Sequence, residues 1–173
     1  NFCEKFNIPT AKFAEIKNLK QANKFIEEVK LPIVVKSDGL ASGKGVTICY
    51  TREEALHDIK NIFNGKFQSS TKVILEEFLT GEEASYFVIT DGKDFKPIGT
   101  AQDHKRIGEG DTGPNTGGMG AYSPSLLINK RIENKVISKI IIPTLDGMKS
   151  MGLEYKGILY AGLMIENDEP KLI

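Results

Sequence analysis

The stretch "KSDGLASGKGV", Lys36 to Val46, restricts the fold more than any other part of the sequence. Its glycines and lysines suit a loop that wraps phosphates, yet it misses the Walker pattern G-x-x-x-x-G-K-[ST]. Gly39 stands one residue too close to Gly43, and Lys44 is followed by Gly45, which has no hydroxyl for a metal ion. The flanks decide more. Walker and dinucleotide loops run from a strand into a helix whose N-terminus receives the phosphates. Here "LPIVVKS" precedes the loop and "GVTICY" follows it, with Val46 and Ile48 on one side and Thr47 and Cys49 on the other, a strand's alternation. Strand–glycine loop–strand is either a flap laying N–H groups and Lys44 over phosphates, or a glycine-rich hairpin with a solvated lysine. Lys36, ending an apolar strand, is either paired or bound, or snorkels to water.

The rest of the pattern predicts an α+β chain. Ala22, Phe25, Ile26 and Val29 fall on one helical face, with Asn18 and Gln21 as a cap and Pro32 as the stop. "TREEALHDIKNIFNG" is a second helix, opened by a Thr51–Glu54 capping box and closed by Gly65. "KVILEEFL" reads as a strand running to a turn at Thr80-Gly81, and "EEASYFVITDGKDFKPIGT" as a hairpin about Asp91-Gly92. A long helix is expected from about Asn129 to Met151, kinked or interrupted by Pro143, followed by two strands joined at Asn167-Asp168. Antiparallel sheets with helices against them fit this order.

Between these elements lies "QDHKRIGEGDTGPNTGGMGAYSP", Gln102 to Pro124, with no hydrophobic period. Asp103, His104, Lys105 and Arg106 gather a carboxylate and three potential cations, and four glycines and two prolines follow between Gly113 and Pro124. Such turn chemistry favours a preformed backbone close to a ligand, and the Lys-Arg pair suits a phosphorylated one. A solvated charge run beside a flexible loop is the competing reading. The strand backbone at Glu76 to Leu79 can read a nucleotide base and Glu83 can accept from ribose hydroxyls, or the paired glutamates are simply solvated.

Several classes lose support. Lys+Arg and Asp+Glu are 23 each in 173 residues, so bulk charge offers nothing to nucleic acid or an anionic membrane. Cys3 and Cys49 form neither a disulfide framework nor a zinc site, and Cys49 reads as a small core hydrophobe. His57 sits on a solvated helix face, and Ser42 has no histidine partner for a Ser-His-Asp hydrolase. The expected setting is the cytoplasm. The opening "NFCEKF" reads as mid-helix and the closing "PKLI" as an interrupted apolar run, so a domain cut from a longer chain is expected.

Four stretches, "LPIVVKSDGLASGKGV", "VILEEFLTGEEASYFV", "AQDHKRIGEGDTGPNTGGMGAYSP" and "GILYAGLMI", resemble in this order the phosphoribosylamine–glycine ligase (glycinamide ribonucleotide synthetase) family of the ATP-grasp superfamily. The resemblance runs from about Ile8 to the end. It implies an ATP-grasp fold of two α+β subdomains clasping ATP, without the family's N- and C-terminal domains. Residues 1–30 would lead in as helix and strand, 31–80 form the small subdomain with the flap, and 81–173 the larger one, truncated at its end. It implies ATP-driven ligation of glycine to phosphoribosylamine through a glycyl phosphate. Lys36 and Lys44 would hold ATP phosphates with Gly43 and Gly45 in the flap, Glu76, Phe78 and Leu79 would form the adenine hinge, and Glu83 would hold the ribose. Asp103, His104, Lys105 and Arg106 with Pro114, Asn115, Thr116, Gly117, Gly118, Met119 and Gly120 would shape the substrate pocket. Lys44, Asp103 and Arg106 are the candidate catalytic groups, acting by placing and neutralising charge. The family's Mg²⁺ (or Mn²⁺) ligands lie in a segment after "PKLI", so no metal ligand is expected here, and the piece alone should bind ATP weakly without turnover. Small-molecule partners and a monomer or weak oligomer are expected. The alternatives are another ATP-grasp ligase or carboxylase of purine synthesis, or a nucleotide-binding module without chemistry.

Overall fold

A computed structural model describes residues 2–39, 45–66, 72–104, 106–110, 112–116 and 120–173, with the backbone alone for Arg106, Pro114 and Asn115. The chain divides into two compact units, residues 11–79 and residues 1–10 with 80–173. The stretch 1–30 is therefore split at residue 10, and its strand and second helix belong to the first of these units.

The 11–79 unit is built on one antiparallel sheet in the order β1-β4-β2-β3, with β1 Phe13–Ile16, β2 Ile33–Ser37, β3 Val46–Cys49 and β4 Val73–Glu77. Helices α2 (Leu19–Glu28) and α3 (Arg52–Asn61) cover one face. Period-two alternation sends Ile33, Val35, Val73 and Leu75 into this core, where they meet Ala22, Ile26 and Ile59. The caps read from sequence are present. Asn18 accepts from the Gln21 N–H, while the Gln21 amide accepts from Lys17 rather than from Asn18. Thr51 and Glu54 exchange both capping-box bonds, and Gly65, at φ +93°, turns the chain after a short π-helical segment. Cys49 is buried, and desolvation pushes its thiol up to about 11, as a core hydrophobe requires.

The other unit carries a five-stranded antiparallel sheet, β11-β10-β5-β6-β9. Its strands are β5 Glu82–Thr90, β6 Phe95–Asp103, β9 Ala121–Tyr122, β10 Gly157–Glu166 and β11 Glu169–Leu172, and a separate ladder joins β7 Arg106–Gly108 to β8 Thr112–Asn115. The stretch after Thr100 thus holds strands that its composition hides, since glycines and polar residues exposed on both faces show no alternation. Ala84, Tyr86, Val88, Ala161 and Leu163 pack under α4 (Lys130–Val136) and α5 (Ile142–Ser150), with the short α1 (Phe2–Lys5) against the same core. Asn129 caps α4 by accepting from Arg131 and Ile132. Pro143 does not break the helix: Ile137–Ile141 widen into a π-helical turn, Ile142 donates to Ile137, and Pro143 occupies the first turn of α5, where its missing N–H costs nothing. Tyr86, buried beneath α4, donates to Glu133 at 3.1 Å, and burial followed by that carboxylate raises its phenol well above its usual range.

Two positions carry testable consequences. Gly81 has φ +126°, and a Cβ there would run into the Ile165 carbonyl, so Gly81→Ala should cost about 2–4 kcal/mol. The urea midpoint of the chain reads it. The hairpin Asn167-Asp168, both at positive φ, is gripped by α4 and the π turn: Lys135 bonds the Asp168 carbonyl at 2.8 Å and the Glu169 carboxylate, and Lys139 meets Glu169 at 2.7 Å. Lys135 first and Lys139 second hold Glu169 down at about 2, against an ordinary 4.5. A depressed carboxylate stabilises above its unfolded pKa and loses that contribution as pH falls through its folded one. Glu169→Gln should therefore flatten the fall in unfolding midpoint between about pH 4.5 and pH 2, read by circular dichroism across that range.

Candidate functional site

In the 11–79 unit, the sheet face opposite the helices carries the residues that sequence singled out. Val34 stands opposite Glu76 and Lys36 opposite Ile74, which makes Lys36 and Glu76 diagonal neighbours on that face. Their Nζ–Oε2 separation is 2.5 Å, with side chains 32% and 23% exposed. Lys36 is thus a paired lysine, and its partner is Glu76, a residue expected at the adenine hinge. The main chain of Glu76 is engaged in a central strand, between Phe13 of β1 and Val34 of β2. The residues that follow the last paired position of β4 are Phe78 and Leu79.

At the other end of the sheet, where Ser37 stands opposite Val73, the glycine loop leaves β2. Ser37 N–H donates to the Gly45 carbonyl at 2.8 Å, so strand does lead through the loop to antiparallel strand. Gly43 and Lys44 lie outside the described residues, while Gly45 is buried. Beside this foot, Lys72 Nζ lies 2.9 Å from Glu15 and 3.5 Å from Asp38, and Asp38 N–H donates to the Lys72 carbonyl at 3.3 Å. The hydrogen bond that Lys72 donates to Glu15 lowers the Glu15 carboxyl and raises Lys72. Nothing in the sequence flagged this triad, because its members lie on three segments that only the strand order β1-β4-β2 brings together.

In the other unit the open face alternates with the core face just as strictly. Glu83 stands opposite Met164, which stands opposite Lys171, and Tyr160 stands opposite Phe87, their rings 5.3 Å apart. Asp103 shares this face by strand parity with Ala101, whose partner is Ser85. Glu83 and Asp103 therefore sit on the same side of neighbouring strands. His104 does not join them: it steps to the other side, where its ring meets Tyr122. Arg106 and Asn115 face each other across the β7–β8 ladder, which brings together the two ends of a motif nine residues apart in sequence. Thr116 is half-buried and Gly120 exposed, while Lys105, Gly117, Gly118 and Met119 lie outside the described residues. Gln102, Tyr122 and Ser125, which carry no signal of their own in the sequence, are linked in the folded chain. Tyr122 donates to the Gln102 amide oxygen at 2.6 Å, a link that appears only with the β6–β9 register.

Among the described residues, the open face of the 11–79 unit offers a lysine paired with a carboxylate, and that of the other unit offers the carboxylates of Glu83 and Asp103. That suits chemistry by placement of charged groups.

Similarity to known proteins agrees with this geometry. The chain is 49% identical over 174 residues to a phosphoribosylamine–glycine ligase of Brucella melitensis, covering all of this chain and 41% of that protein. The crystal structure of a phosphoribosylamine–glycine ligase from Thermotoga maritima superposes with TM-score 0.90 at 34% identity, over 99% of this chain and 44% of that one. A carboxyaminoimidazole ribonucleotide synthase from Aspergillus clavatus, solved with ATP, shares the fold alone: TM-score 0.67 at 18% identity, over 99% of this chain and 41% of that one. The family model described as phosphoribosylglycinamide synthetase, ATP-grasp (A) domain, matches residues 1–173. The chain belongs to that family and has the ATP-grasp fold.

Proposed function

We propose that this chain is the ATP-binding part of a phosphoribosylamine–glycine ligase, a protein of which it spans about two fifths by comparison with its curated relatives. The observation that carries the reading is that the two flanks of the glycine loop, Ser37 and Gly45, are joined at the end of an antiparallel strand pair whose open face holds Lys36. In this reading ATP passes its terminal phosphoryl group to the glycine carboxylate, releasing ADP. The amine of phosphoribosylamine then attacks the acyl carbon, expels phosphate and yields glycinamide ribonucleotide.

Lys36, oriented by Glu76, and Lys44 with Gly43 and Gly45 neutralise the nucleotide phosphates. Phe78 and Leu79 offer main chain to the adenine, with Glu76 acting through Lys36, and Glu83 accepts from the ribose. Asp103, His104, Lys105 and Arg106, with the stretch from Pro114 to Gly120, take the substrates. Asp103 and Arg106, with Lys44, are the groups placed nearest the chemistry. Magnesium or manganese would add charge neutralisation at the phosphates. Among the described residues no three His, Cys, Asp or Glu side chains converge, and we assign the ion's ligands to none of them. The expected setting is the cytoplasm, with a monomer or weak oligomer and neither nucleic acid nor membrane as partner.

The test is ADP release by the complete polypeptide. Release that needs both glycine and phosphoribosylamine is expected. Release that instead needs bicarbonate with an aminoimidazole ribonucleotide would transfer the chain to the carboxylase reading, and none at all to a binding module. Within the ligase, Lys36→Met should raise the KM for ATP roughly ten- to a hundredfold, the scale of one charge-assisted hydrogen bond. Because this leaves the Glu76 carboxylate without its lysine, Lys36→Met/Glu76→Gln serves as the check: the KM should stay high while the melting temperature recovers. Glu83→Ala should raise the same KM about tenfold. Unchanged ATP affinity in both Lys36→Met and Glu83→Ala would mean that the phosphate and ribose sites are misassigned.

A further inference from the structure

Tyr122 has no part in the reaction as proposed, yet the contacts around it bear on His104. It stands opposite Gln102 in the β6–β9 ladder. Its hydroxyl donates to Gln102 Oε1 at 2.6 Å, and the same oxygen accepts from Ser125 Oγ at 3.2 Å. Ser125, only 5% exposed, is tied to β6 a second time, its N–H donating to Thr100 Oγ1 at 2.9 Å. Two donors on one amide oxygen use both of its lone pairs, which fixes the amide and, through it, the phenol. The held phenol ring then meets the His104 imidazole at 5.7 Å between centroids and 35° between planes, within the range of offset aromatic contacts. The His104 main chain is pinned as well, its N–H donating to the Gly120 carbonyl at 2.8 Å. The imidazole is exposed, and a ring supported on its face keeps both nitrogens at its edge, free to bond a ligand.

We propose that Tyr122 is a positioning residue. Braced by Gln102, it sets the direction in which His104 presents its ring nitrogens to an anionic, phosphorylated substrate. This rests on the reading of His104 as a substrate-binding group. It makes Tyr122 a determinant of substrate affinity without contact to the substrate, and it leaves the nucleotide site untouched.

Steady-state kinetics of the complete ligase test it, with KM measured separately for phosphoribosylamine and for ATP. Tyr122→Leu should raise the phosphoribosylamine KM roughly three- to tenfold, the scale of one aromatic contact, and leave the ATP KM unchanged. Tyr122→Phe, which keeps the ring and so the packing, should give a smaller rise in the same direction. Made on a His104→Asn background, Tyr122→Leu should add nothing, because its effect passes through the imidazole. An equal penalty in both backgrounds, or a matching rise in the ATP KM, overturns the inference and makes Tyr122 a brace for the sheet edge. If His104→Asn by itself leaves the phosphoribosylamine KM unchanged, the substrate assignment of His104 falls, and the inference falls with it.

Discussion

Alternation along antiparallel strands is the constraint on which the rest depends. Each unit closes one face of its sheet with helices and leaves the other open. Ile33, Val35, Val73 and Leu75, each 2% exposed or less, fix the register of β2 against β4, and that register puts Lys36 beside Glu76 on the open side. A slip of β2 by one residue would drive Lys36 into the apolar core and leave Glu76 without its partner, at a cost of several kcal/mol. Core packing and site geometry are therefore set by the same register. In the 80–173 unit, Tyr86 and Leu163 on one face determine that Glu83 and Met164 face the other way.

Lysines recur at these positions, and they arrive already partnered. Lys36 is held by Glu76, Lys72 by Glu15 and Asp38, and Lys135 with Lys139 by Glu169. The pairs differ in what they can do. Those at Glu169 lock a hairpin tip to a helix. The Lys36–Glu76 pair sits on a face with no helix over it, so it orients an ammonium whose remaining donors are available to an incoming anion.

The elements with strong periodicity or explicit cap chemistry were legible in the sequence: α2, α3, the hairpin at Asp91-Gly92 and the one at Asn167-Asp168. The family too was legible, because its motifs are long runs of residues with particular chemistry. What could not be read were relations set by strand order. The Lys72–Glu15–Asp38 triad and the Gln102–Tyr122–Ser125 links join residues that are distant in sequence, and no local pattern encodes a neighbour two strands away. The strands after Thr100 escaped for a different reason, since exposed glycine-rich strands carry no alternation. Asp103 and His104 illustrate the limit at the smallest scale. Adjacent in sequence, they read as one cluster, but a single step along an extended strand sends them to opposite faces.

The parallel bridge between Thr10 and Leu172, with the Leu172 N–H donating to the Pro9 carbonyl, sets a timetable for folding. The 11–79 unit is continuous in sequence and can close as soon as its last residue is free of the ribosome. The other unit must keep residues 1–10 waiting until β11 has been made. At common rates of synthesis the intervening stretch takes roughly 8 to 32 s. Through that interval Phe2 and Phe6, which later pack on Gly147, stand unshielded on the nascent chain. The half of the molecule that holds the glycine loop is thus ready first, and the half with the long motif around Asp103 closes only once β11 meets residues 9 and 10.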